Sequence, residues 1–109
     1  MLLTQQNAWI HSFATIIVIF FGINLQLNRL EWCFIILAIV SVWTAEALNT
    51  AFEFLTDLAS PEFHPLAEKA KDIAAASVLI TAIGAVLIGW LVFSPYLSDF
   101  NSILFDLWH

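Results

Sequence analysis

Glu46, Asn49, Glu53 and Asp57 follow one another at offsets of three, seven and eleven residues. At about 100° per residue, a helix gathers these positions within roughly 80° of each other, as one polar stripe. The stripe follows the apolar run from Cys33 to Trp43, which sets Glu46 near or below the depth of lipid headgroups. A carboxylate there costs several kcal/mol unless it is paired or hydrated, so it reads as functional by default. Hydrogen bonding between membrane helices accounts for Asn49. It accounts poorly for three acids, because like charges along one helix face repel. A divalent cation carrying a nucleotide supplies the missing positive charge, and Mg²⁺ favours carboxylates together with substrate phosphates. The chemistry this points to is the binding of a metal-bridged nucleotide.

A second polar patch holds Glu68, Lys69, Lys71 and Asp72, just before an apolar segment. Alone it reads as a solvated helix start, where acids favour the dipole. Beside the stripe, Lys71 becomes a candidate phosphate contact and Asp72 a candidate nucleotide contact. A cation pathway lined by Glu46 and Glu53 is the other use of buried acids, but it leaves Lys71 and Asp72 without a role. His11, His64 and His109 are too scattered in sequence to form a metal site on their own.

Three apolar segments must position these groups, at about 8–27, 32–58 and 73–93. A helix needs about 20 residues to cross about 30 Å of hydrocarbon, and each segment is long enough. Three segments cannot close a barrel. The expectation is an all-α membrane protein with three transmembrane helices in a single domain over 1–109. Polar residues from Asn24 to Arg29 predict a turn after the first helix. Ser60-Pro61 predicts the end of the second and Ser94-Pro95 the end of the third, since proline removes a donor and disfavours helix in the residue before it. Beyond it, Leu97, Phe100, Ile103, Leu104 and Leu107 stand at helical spacing, with Asp99 and Asp106 on the other side. That pattern predicts an amphipathic interfacial helix over about 97–109, and Trp108 suits a membrane interface.

Composition agrees. Of 109 residues, 61% are hydrophobic and 11% charged, against about 25% charged in soluble domains. Arg29, Lys69 and Lys71 face nine acids, for a net charge of −6. This excludes a nucleic-acid partner, because nothing could neutralise a row of phosphates, and it excludes a polybasic surface anchor. The single cysteine, Cys33, allows no intrachain disulfide. The 59–72 connection carries two cations and the 24–31 turn one, which places the former in the cytoplasm.

The stretch Glu46-Ala47-Leu48-Asn49-Thr50-Ala51-Phe52-Glu53-Phe54-Leu55-Thr56-Asp57 resembles the E-x-x-N-(T/S)-A-(I/F)-E-x-x-x-D signature of the prokaryotic diacylglycerol/undecaprenol kinase family. His64-Pro65-Leu66-Ala67-Glu68-Lys69-Ala70-Lys71-Asp72 resembles its H-x-L-(A/S)-x-x-A-K-D motif, in order and at the family's separation. With the flanking helices the likeness covers about residues 7 to 93. The Glu31-Trp32 pair and the His64-Pro65-Leu66-Ala67 wording look closer to the undecaprenol branch.

The resemblance implies a homotrimer of three-helix chains in the bacterial inner membrane, with its site on the cytoplasmic face. It implies transfer of the γ-phosphate of ATP, with Mg²⁺, to the hydroxyl of a lipid alcohol, undecaprenol or diacylglycerol. Glu46 takes the general base's place, Glu53 binds metal, and Asn49, Asp57, Lys71 and Asp72 support or contact the nucleotide. Two features depart from the pattern. The family's N-terminal surface helix has no counterpart in the sequence given, and Gln5 stands where a metal-binding Glu is expected. These departures favour, as the alternative to an active kinase, an impaired family member serving as a subunit beside another membrane protein.

Overall fold

The computed structural model describes the backbone of residues 2–108 and the side chains of residues 8–99 and 105–107. Three helices make up the chain: α1 (Leu2–Leu25), α2 (Arg29–Ala59) and α3 (Pro65–Trp108). Each contains a stretch long and apolar enough to cross a membrane, within Ala8–Leu25, Arg29–Ala59 and Pro65–Asp99. α2 packs mainly on α3, as a helical hairpin, and α1 leans on α2. Large apolar side chains such as Phe13, Ile80 and Trp90 are exposed, as a lipid-facing surface requires.

The first turn is shorter than its polar residues predict. Asn24 stays helical because its Nδ2 donates 2.7 Å back to the Phe20 carbonyl, so its polar group is satisfied within α1. α1 ends in a Schellman arrangement: the Leu27 amide donates to Gly22 O and the Gln26 amide to Ile23 O, each at 3.2 Å. Gln26 takes the left-handed conformation this needs, with φ at 55°. Asn28 then opens α2 with a capping box: its side chain accepts from the Glu31 amide at 2.8 Å, and Glu31 Oε1 accepts from the Asn28 amide at 3.0 Å. Gly22 is required by close approach, since a Cβ there would sit 2.6 Å from the Trp32 ring.

α2 ends at Ala59, before Ser60-Pro61, as expected. α3 begins at Pro65, well before its apolar part, because proline suits the first helical position and His64 Nδ1 accepts the Leu66 amide at 3.1 Å. The predicted break at Ser94-Pro95 does not occur. α3 runs through Pro95 to Trp108, so the tail expected over 97–109 continues a long helix, as far as it is described, rather than forming a separate one. Tyr96 holds this end in place: its Oη donates to Glu31 Oε1, and Val92, Phe93 and Tyr96 pack with Leu27 and Ile35. Proline lacks the N–H for the Leu91 carbonyl, and these contacts offset that loss. Leu97, Asp99, Asp106 and Leu107 are all exposed. The side chains of Phe100, Ile103, Leu104 and Trp108 lie outside the described residues, as does Gln5.

Candidate functional site

The buried residues of α2 are Ile35, Ala38, Val42, Ala45, Glu46 and Asn49. Their spacing of mostly three and four residues makes one inward stripe, and the chemistry sits at its far end. Glu46 is 5% exposed and Asn49 6%. Neither carboxylate oxygen of Glu46 has a hydrogen-bond partner among the described residues, and nor does Asn49 Oδ1. Leaving such groups unsatisfied away from water is costly, so a site that does so is arranged for something that arrives.

Further along α2 the stripe becomes wetter. Asn49 Nδ2 donates to Glu53 Oε1 at 3.2 Å, which fixes one carboxylate oxygen and leaves the amide oxygen facing the same neighbourhood. Asp57 is exposed and accepts from Lys71 Nζ at 2.5 Å. This ion pair ties the start of α3 to the end of the stripe across the 60–64 turn, so the lysine and the acids share one end of the hairpin. Asp72, Glu68 and Lys69 are exposed, and Asp72 makes no ion pair or hydrogen bond among the described residues. No three His, Cys, Asp or Glu side chains converge to hold a metal among the described residues.

His11 joins the site although neither sequence motif includes it. Its Nε2 lies 3.4 Å from Glu46 Oε2, in close contact but without hydrogen-bond alignment. The His11 ring meets Trp43 edge-on, with centroids 6.1 Å apart. Trp43 Nε1 donates to Thr15 Oγ1 at 3.1 Å, and Thr15 Oγ1 donates to the His11 carbonyl at 2.6 Å. The available sequence signal is on α1, where His11, Thr15, Val18 and Gly22 share one helical face. A histidine and a threonine on the inward face of an apolar helix call for a polar partner on the next helix.

Below this group lies an apolar cavity of about 280 Å³ bounded by all three helices. Ala14, Val18, Ile35, Ala38 and Val86 line it, and His11, Thr15 and Trp43 form its polar edge. A short run of methylenes fits such a slot, with its polar end at His11.

The family description of the prokaryotic diacylglycerol kinases matches residues 1–93. The chain belongs to the prokaryotic diacylglycerol kinase family. It is 39% identical over 94 residues to the undecaprenol kinase of Bacillus subtilis, covering 86% of this chain and 76% of that protein. It is 40% identical over 97 residues to a diacylglycerol kinase of Synechocystis, covering 87% of this chain and 55% of that protein. A diacylglycerol kinase of Escherichia coli is 31% identical over 74 residues, covering 68% of this chain and 61% of that protein. As a member of the prokaryotic diacylglycerol kinase family, the chain is a membrane-embedded lipid kinase, an enzyme moving a phosphoryl group from a nucleotide to a lipid. The alternative of a non-enzymatic subunit has no support in these relatives, all of which are named as kinases.

Proposed function

We propose that this protein transfers the γ-phosphate of ATP to the terminal hydroxyl of undecaprenol, at the cytoplasmic face of the bacterial inner membrane and as a homotrimer. The observation that carries the reading is the buried Glu46 carboxylate, without a hydrogen bond among the described residues and 3.4 Å from His11, which borders an apolar cavity. The undecaprenol assignment draws on the Bacillus relative and on the Glu31-Trp32 and His64-Pro65-Leu66-Ala67 wording. The Synechocystis relative favours diacylglycerol as a second acceptor.

In this reading the hydroxyl end of the prenyl chain enters the cavity beside His11 and its hydroxyl reaches Glu46, while the rest of the chain stays in the bilayer. Glu46 takes the hydroxyl proton as the oxygen attacks the γ-phosphorus and the bond to ADP breaks. A base held in a dry pocket suits an alcohol that cannot leave the bilayer. Glu53 would hold Mg²⁺ that arrives on the triphosphate, and the ion supplies neutralisation of the phosphate charge. The donor set fits that ion, which needs one or two carboxylates plus phosphate oxygens, and Asn49 Oδ1 stands beside Glu53 without a partner. Asn49 orients Glu53. Lys71, steadied by Asp57, contacts the phosphates, and Asp72 contacts the nucleotide.

The test is transfer of phosphorus-32 from ATP to undecaprenol, and in parallel to diacylglycerol, in lipid vesicles. Label in undecaprenol, dependent on Mg²⁺ and lost in Glu46→Gln, is expected. No label in either lipid would overturn the kinase reading, and label in diacylglycerol alone would overturn the acceptor.

A further inference from the structure

We infer that His11 is a positioning residue for the general base: it directs an Nε2–H at Glu46 Oε2 and holds that carboxylate towards the lipid hydroxyl. The inference rests on Glu46 being the base, and it assigns a role to a helix that the sequence motifs leave out. Three observations carry it. First, His11 Nε2 is 3.4 Å from Glu46 Oε2, and no other described side chain hydrogen-bonds to either Glu46 oxygen. A carboxylate 5% exposed needs at least one donor to define its orientation. Second, His11 is itself fixed. Its ring rests edge-on against Trp43, which is anchored to Thr15, which in turn bonds the His11 carbonyl. The same α1–α2 contact that seats His11 therefore sets the distance to Glu46, one turn of α2 beyond Trp43. Third, His11 borders the apolar cavity, so a lipid hydroxyl approaching Glu46 from there passes the imidazole.

At 3.4 Å the pair is longer than a hydrogen bond. Catalytic hydrogen bonds are often long before substrate binds and tighten in the complex. With the acceptor's head excluding water, the contact closes, and the Glu46 oxygen not bound to His11 is the one left to accept the hydroxyl proton.

The test compares His11→Leu, His11→Gln and Glu46→Gln by phosphorus-32 transfer to lipid in vesicles, with both substrates varied. His11→Leu removes the donor and is expected to lower kcat by about tenfold or more, with KM for ATP little changed. His11→Gln keeps an N–H at a similar reach and is expected to recover most of that loss, which a purely space-filling role for His11 would not predict. Wild-type kcat in His11→Leu, or a His11→Gln variant as slow as His11→Leu, would overturn the inference. If His11→Leu fails to assemble in the membrane, Thr15→Val and Trp43→Phe decide. They loosen the support of His11 without touching Glu46, and each should lower kcat at unchanged KM for ATP, whereas wild-type kcat in both overturns the proposal. Glu46→Gln separates the two readings: full activity there removes Glu46 as base, while an inactive Glu46→Gln beside a fully active His11→Leu removes only the role given to His11.

Discussion

In the proposed role of base, Glu46 has shelter from water and no hydrogen bond among the described residues that must be displaced, its His11 contact being 3.4 Å long. Truncating its chemistry without its volume, as Glu46→Gln, should lower kcat by about 10²–10⁴-fold while the protein still assembles, as phosphorus-32 transfer and detergent gel filtration would report. Asp57 and Lys71 make the opposite case. Both are partly exposed, and exposed pairs add little to stability. Asp57→Asn should therefore leave the thermal unfolding midpoint near its wild-type value and raise KM for ATP, because Lys71 loses the carboxylate that aims it. A lowered midpoint with unchanged KM would show the pair to be structural. At this scale the sequence was informative about types and spacing. Glu46, Asn49, Glu53 and Asp57 do share the inward-to-wet face their offsets require. His11 was not legible, because its relation to Glu46 exists only across two helices.

The helices are set by local chemistry at their ends. Gln26 pays for the left-handed turn that closes α1, a conformation that costs a side chain about 1–2 kcal/mol and glycine almost nothing. Gln26→Gly should raise stability by about 1 kcal/mol, read as a higher midpoint in detergent, with kcat unchanged. Gly22→Ala should do the reverse. Its new methyl would press on the Trp32 ring, and overpacking of this kind costs about 1–3 kcal/mol. Proline was read well at Ser60-Pro61, where α2 ends. It was read too strongly at Pro95. A lone proline removes one hydrogen bond, and the Tyr96–Glu31 contact together with the packing of Val92 and Phe93 outweighs it. Tyr96→Phe should lower the midpoint and loosen the end of α3, seen as faster amide exchange beyond Pro95.

For the molecule as a whole, α3 dominates the shape. Its 44 residues span about 66 Å at 1.5 Å per residue, matching the longest dimension of 67 Å and exceeding the roughly 30 Å of bilayer hydrocarbon. One end carries Lys71 and the acids, and the other carries Asp99 and Asp106. With the lysine end in the cytoplasm, a cysteine placed at Glu62 in a Cys33→Ala background should react with an impermeant maleimide only from that side. A cysteine at Asp99 should react only from the other. The reverse pattern would put the site on the wrong face for cellular ATP.

Composition and periodicity were enough to establish a helical membrane chain and the polar face of α2, and the motifs resembling a kinase family supplied the kind of reaction. The first two follow from the sequence because burial, helical period and charge are properties of neighbouring residues. The continuity of α3 through Pro95, the apolar cavity and the pairing of His11 with Glu46 had to wait for the tertiary structure. Each depends on which face of one helix meets which face of another, and that is decided by packing between residues far apart in the chain.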